Sequence, residues 1–329
     1  MSSSSGPDER ATPRLDVAEI EQVEELVEGA AEERALGTQA QAPGRGRRHA
    51  LVTAAWAAPG SLWLLFFLVG PVVMIILVSF WTPSLTGFEK EFTLENYRTL
   101  FGSDVYWDQL KDSFFVALIV VGATLLLGFP IAYFLTFQVT SLRNQVALFL
   151  VLLAPFLTSY LIRAVAWQYP LMGRNGAVNQ VLQDIGLIDE PLEILGFSRL
   201  SVTLFLIQLY ILFMITPLFF MLAQVDRSAI ESARDLGASW FKTFREVIIP
   251  QIMPGIVIGS IFVFVLSMGD YGTTRLVGAG QVASVGTIVQ NYLVGIQYPI
   301  AAASAVFLVL AMMAGVFVML RFSNLREEL

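Results

Sequence analysis

Residues 231–250 read ESARDLGASWFKTFREVIIP, a charged segment set between two strongly apolar stretches. Asp226 just ahead of it suits a helix N-cap, and Glu231 and Asp235 favour early helical turns. Gly237 permits a turn, and residues 240–247 resume a helical pattern. Pro250 and Pro254 are then expected to break the chain before the next apolar stretch. The outcome is a short helix lying across a membrane surface rather than through it. Ala233 and Gly237 allow close approach of a soluble partner's groove, and Glu231 with the neighbouring bases can pair at its rim. The run from Gly237 to Lys242 and Thr243 superficially resembles a phosphate-binding loop. It has Phe241 where that loop needs Gly before Lys, and no strand precedes it, so it is not such a loop.

Around this segment the composition is that of a membrane protein. Of 329 residues 56% are hydrophobic and 14% charged, against about a quarter charged in soluble domains. Apolar runs reach about 20 residues, enough to cross about 30 Å of hydrocarbon as helix. Helices are expected because lipid offers backbone groups no partner outside the segment. Six spans are expected, at about 54–80, 113–137, 145–167 (with Pro155 inside), 201–223, 252–270 and 300–320. The chain has no cysteine and one histidine, His49, which excludes disulfides and thiolate metal sites. No carboxylate pair, nucleophile–base set or metal spacing points to an enzyme.

Residues 1–49 differ from the rest. They are Ser-rich, then dense in Glu over 16–33, then basic at Arg45, Arg47 and Arg48. They read as an acidic, disordered cytoplasmic tail with one transient helix, ahead of a transmembrane domain over 50–329 whose cytoplasmic loop is 224–251. Orientation follows from Lys and Arg near the span ends. Arg45, Arg47, Arg48, Arg143, Arg227, Arg234, Lys242, Arg245, Arg321 and Arg326 fall on one side. Lys90, Arg98, Lys111, Arg174, Arg199 and Arg275 fall on the other. Both termini and the 224–251 loop are then cytoplasmic.

The spacing of Glu231, Ala233 and Gly237, with Val247, Ile249 and Pro250 after them, resembles the E-A-A-x-x-x-G … I-x-L-P loop of binding-protein-dependent ABC importer permeases. Ser232 stands in place of the second Ala, and Val247 and Ile249 in place of Ile and Leu. The likeness extends over residues 55–320 and is greatest to the spermidine/putrescine PotB-type branch, while neighbouring branches that share many of these residues leave iron(III), a sugar or another small organic solute as alternative cargo. It is carried by Gly173-Arg-Asn-Gly176, Asn179-Gln180, 186–192 (GLIDEPL), 161–167 (LIRAVAW) and Met268-Gly-Asp-Tyr271. The resemblance implies an all-α permease fold of six transmembrane helices in a bacterial inner membrane. It implies a second homologous permease, two ATPase subunits that carry ATP and Mg²⁺, and an extracytoplasmic substrate-binding protein. This chain itself would bind no cofactor, metal or nucleic acid, with membrane lipid as its surroundings. Glu231, Ser232, Ala233, Asp235, Gly237 and Pro250 would form the contact that couples ATPase closure to alternating access.

Ionisable groups at membrane depth are costly and usually face a cavity or a partner. Arg163, between Tyr160 and Trp167, and Asp270, beside Tyr271, are the two that stand out. Each also suits the outer interface, and a mutual Asp270–Arg163 pair is a third arrangement. A polyamine's ammonium groups would want carboxylates and aromatic faces, which Asp270, Tyr271, Tyr160, Trp167 and Tyr210 supply. A secondary transporter without an ATPase is the rival, but it predicts an internal repeat that the sequence does not display.

Overall fold

A computed structural model describes residues 56, 58–84 and 87–322. The acidic tail 1–49 lies outside the described residues. The chain divides into two compact units, Met1–Pro71 and Val72–Leu329. The described part of the first belongs to α1, Ala58–Val78, an apolar helix whose most hydrophobic window contains no buried residue.

The second unit opens with a hairpin, β1 (Trp81–Ser84) and β2 (Gly87–Phe92), paired antiparallel with Pro83 opposite Phe88. This small sheet is an addition to the expected all-α fold. Asn96 fixes its base, because its buried amide donates to the carbonyls of Ser79 at 2.9 Å and Trp81 at 2.8 Å. The rest is helical: α2 (Glu95–Phe101), α3 (Asp104–Gln138), α4 (Leu142–Leu157), α5 (Tyr160–Tyr169), α6 (Ala177–Asp184), α7 (Arg199–Ala223), α8 (Arg227–Asp235), α9 (Trp240–Met268), α10 (Gly272–Leu276), α11 (Val285–Val294) and α12 (Tyr298–Phe322). Five helices are long and apolar enough to cross a membrane, or six if the bent pair α4–α5 counts as one span.

Two expectations need correction. The third span is no single rod, because α4 and α5 meet at 85°. Pro155 ends α4 in a tight turn, and the Thr158 hydroxyl and N–H both bond the Pro155 carbonyl. Thr158 and Ser159 are then extended, so the helical ladder stops there. Conversely, Pro250 and Pro254 do not break the chain. A wide π turn at Phe244–Ile248 leads straight into the helix Ile249–Met268, with Pro250 in its first turn. Pro250 follows that π turn, where the helical ladder is already widened, and Pro254 lies inside the helix without ending it. The second span also starts earlier than its apolar run, at Asp104, on a Ser103 cap.

The core is the meeting of α3, α7 and α9. The buried residues of α3, from Tyr106 through Leu110, Ser113, Ala117, Val120, Thr124 and Gly128 to Ala132, fall three or four apart and so make one seam. Small residues matter there because lipid tails are as apolar as Leu, so helices associate by close packing rather than by escape from water. Phe205, Met214, Ile215, Leu218 and Leu222 of α7 fill the seam against Ile252 and Val263 of α9. A second cluster joins Tyr106 and Leu110 to Phe264, Met268, Val285 and Ala303, holding α12 and α11 to the other side.

Candidate functional site

The loop after α7 is built by local chemistry. Asp226 caps α8 by accepting from the Ser228 N–H at 2.8 Å, while its own N–H donates to Gln251 Oε1 at 3.2 Å. That second bond ties the start of α8 to the interior of α9. Bonding to Ser228 holds the Asp226 carboxyl below the usual carboxylate range. A depressed folded-state pKa means the cap stabilises above the unfolded value and is lost as pH falls through the folded one. At the other end Gly237 has φ of +79°. Its N–H donates to the Arg234 carbonyl at 2.8 Å, and the Ala238 N–H reaches the Ala233 carbonyl at 3.0 Å. This pairing is the Schellman stop, and its left-handed residue is the reason for glycine at 237. Ser239 then caps α9 by accepting from the Lys242 N–H at 3.3 Å, and Trp240 stacks on Phe244 at 5.3 Å.

Of the coupling residues read from the sequence, Glu231, Ser232, Asp235, Gly237 and Pro250 are exposed and Ala233 is half-buried. Leu236 was not among them, yet it is 88% exposed, with Trp240 and Phe241 also open beside it. Nothing in the pattern of charges marks these three. Their signal is apolar bulk placed next to a helix stop.

The membrane-depth residues form a polar cluster around Asp270. One carboxylate oxygen accepts from the Tyr210 hydroxyl at 2.9 Å, and the other from the Thr273 N–H at 2.7 Å. The Tyr160 hydroxyl meets the Thr273 hydroxyl at 2.9 Å. Ser284 donates to the Asp270 carbonyl at 3.1 Å. Trp167 joins at one remove. Its ring packs on Phe205 at 5.6 Å, as does that of Tyr160 at 6.0 Å, and its N–H donates to Ser201. Tyr271 is half exposed. No Asp270–Arg163 ion pair forms among the described residues. Both carboxylate oxygens are already engaged, and Arg163 lies over the Phe156 ring at 5.5 Å with a buried Nε that has no partner. Thr273 and Ser284 were not read from the sequence. Thr273 is a local partner, three residues on, whose signal is an Asp set three positions ahead of a backbone N–H at a helix start; Ser284, fourteen residues on, is brought there by the fold.

No family model matches the sequence. Curated relatives do. The chain is 33% identical over 268 residues to the spermidine/putrescine transport system permease protein PotB of Haemophilus influenzae, covering 80% of this chain and 91% of that one. Against PotB of Escherichia coli it is 35% identical over 268 residues, covering 81% and 96%. The chain belongs to the PotB family of ABC importer permeases. The inner membrane ABC transporter permease protein YdcU of Escherichia coli is 33% identical over 251 residues, covering 68% of this chain and 77% of YdcU. Among solved structures, a bacterial ABC transporter that imports the acidic polysaccharide alginate matches with a TM-score of 0.63 at 20% identity, covering 85% of this chain and 97% of that one. That likeness shows the fold, while the curated relatives and the five to six apolar helices make the chain a multi-pass inner-membrane permease.

Proposed function

We propose that this chain is one permease of an ATP-driven polyamine importer, paired with a second permease and working with two ATPase subunits and an outer substrate-binding protein. ATP and Mg²⁺ are held on the ATPase. The observation that carries the coupling role is the exposed α8, stopped at Gly237 and tied to α9 through Asp226 and Gln251. A push on α8 is thereby delivered to the foot of a helix that runs to Met268, two residues from Asp270. The polyamine assignment rests on the PotB relatives. It is also chemically apt. An arriving ammonium takes the place of the Tyr210 hydroxyl on Asp270 and lies against the Tyr210 and Tyr160 rings. Arg163 then stands as a fixed cation near the substrate's route, limiting how closely a second ammonium approaches.

ATP-dependent uptake of labelled spermidine into vesicles holding the co-purified importer tests this reading. Uptake that collapses in Glu231→Ala supports it. ATP hydrolysis that still depends on Glu231 without any spermidine uptake would remove polyamine as the substrate and leave the importer standing. Absence of any co-purifying ATPase would overturn the coupling role.

A further inference from the structure

The face of α8 turned toward the rest of the chain borders a cavity of about 230 Å³. Arg227, Glu231 and Arg234 supply one wall, Phe137 at the end of α3 another, and Trp240 and Thr243 of α9 a third. Positions 227, 231 and 234 lie on one stripe of α8. That stripe bears two guanidinium groups and one carboxylate, so the wall is net positive. Neither arginine makes an ion pair within 4.0 Å among the described residues. Arg227 instead lies over the Phe137 ring, 5.9 Å from its centroid. A guanidinium on an aromatic face keeps its in-plane N–H donors free.

Thr243 is 3% exposed, and its hydroxyl oxygen has no hydrogen-bond partner. A helical threonine ordinarily bonds the carbonyl four residues back, but the Ser239 carbonyl is taken only by the Thr243 N–H at 2.9 Å. Thr243 lines the same cavity as the two arginines, neither of which is ion-paired among the described residues.

We propose that this cavity is a phosphate site, filled by the headgroup of an anionic phospholipid. Guanidinium forks match phosphate oxygens in pairs, and Thr243 donates a third bond. The lipid is favoured over free phosphate by position. The cavity lies where the membrane-crossing α3 ends, beside a half-exposed Trp240 of the kind that sits at headgroup level. Glu231 is the one carboxylate on that wall, and it is ion-paired to neither arginine. The cytoplasmic location of the site rests on the coupling reading above, but its chemistry does not.

The test uses this chain with whatever partners co-purify, in nanodiscs of phosphatidylcholine with and without phosphatidylglycerol. The readouts are the thermal unfolding midpoint and retained lipid by native mass spectrometry. Phosphatidylglycerol raises the midpoint of the wild type and is retained. Arg234→Gln weakens its apparent affinity about tenfold, the scale of one charge-assisted hydrogen bond. Thr243→Val, which keeps the side-chain shape, weakens it about threefold. Lys242→Gln removes an exposed base that does not border the cavity and leaves the affinity unchanged. Inorganic phosphate alone raising the midpoint in pure phosphatidylcholine keeps the phosphate site and overturns the lipid as its source. No response to either, or an equal loss in Lys242→Gln, overturns the site and leaves only diffuse surface charge. If Arg234→Gln does not fold, Thr243→Val decides. Failure of the coupling reading shows separately, as loss of the ATPase during purification.

Discussion

Gly237 and Asp270 illustrate two kinds of residue-level constraint. Gly237 is set by its backbone: φ is +79° and nothing lies within 4 Å of the place a Cβ would occupy. Gly237→Ala therefore meets conformational strain of about 1 kcal/mol rather than a clash. The expected outcome is a folded permease that retains less ATPase on co-purification, because α8 no longer stops at a fixed angle. Unchanged recovery of the ATPase would show that the angle is not critical. This constraint was legible in the sequence, since a Schellman stop is local and its glycine falls at a fixed offset from the helix. Asp270 is set by neighbours from afar: Tyr210 is 60 residues away in the chain. Its carboxylate was legible as unusual at membrane depth, but its Tyr210 partner was not, because no local pattern joins α7 to the turn after α9. Asp270→Asn keeps the shape, and its amide can still accept from one donor. Removing the charge is expected to cut spermidine uptake at least about tenfold while ATP hydrolysis persists. Tyr210→Phe leaves the charge and should cost less. Equal losses in both would mean that the bond between them, rather than the charge, is what matters.

At the level of elements, the decisive contacts are those where helices approach closely. Gly255 and Gly259 on α9 face Pro217 and the methionines of α7. A Cβ at 255 would lie 2.9 Å from the Pro217 carbonyl oxygen and 2.6 Å from Met221 Cγ. The methionine can move, but the backbone carbonyl cannot. Gly255→Ala is thus expected to destabilise the α7–α9 pair by about 1–3 kcal/mol. Gly122 on α3 has open space at the same place, so Gly122→Ala should be neutral or gain up to about 1 kcal/mol of helix propensity. Thermal unfolding in detergent compares the two, and equal midpoints would contradict the close packing assigned to Gly255. Gly255 and Gly259 stand four apart in the sequence, a spacing that suits close helix packing, but nothing local names the helix they meet. The bend between α4 and α5 was less accessible. Pro155 was visible, but hydropathy runs smoothly through Thr158 and Ser159, and the stop there depends on where the Thr158 hydroxyl goes. The hairpin at 81–92 escaped for a related reason. Its strands are only four and six residues long, and its base is held by Asn96 from outside the hairpin.

For the whole molecule, the sidedness of the helices decides what every other assignment means. Apolar length identified the crossing segments well because it is a bulk property of about 20 residues. Sidedness rests on a weaker signal, ten bases near one set of span ends against six near the other. If the loop bearing α8 faced outward, it would meet no ATPase, and the cavity behind it would meet the other leaflet. The absence of native cysteine makes this directly measurable, since a single introduced thiol is the only one in the chain. Lys242 is exposed at the start of α9, and Asp189 lies in the loop after α6. Lys242→Cys is expected to react with a membrane-impermeant maleimide only in inside-out vesicles, and Asp189→Cys only from the outer face of intact cells. The reverse pattern would place α8 outside and undo the coupling role, however closely the loop resembles its relatives. Labelling of both from one side would mean that an odd number of crossings between them has been misassigned. Since Lys242 stands before the apolar body of α9, one crossing, α7, separates the two probes, and opposite labelling follows from that helix alone.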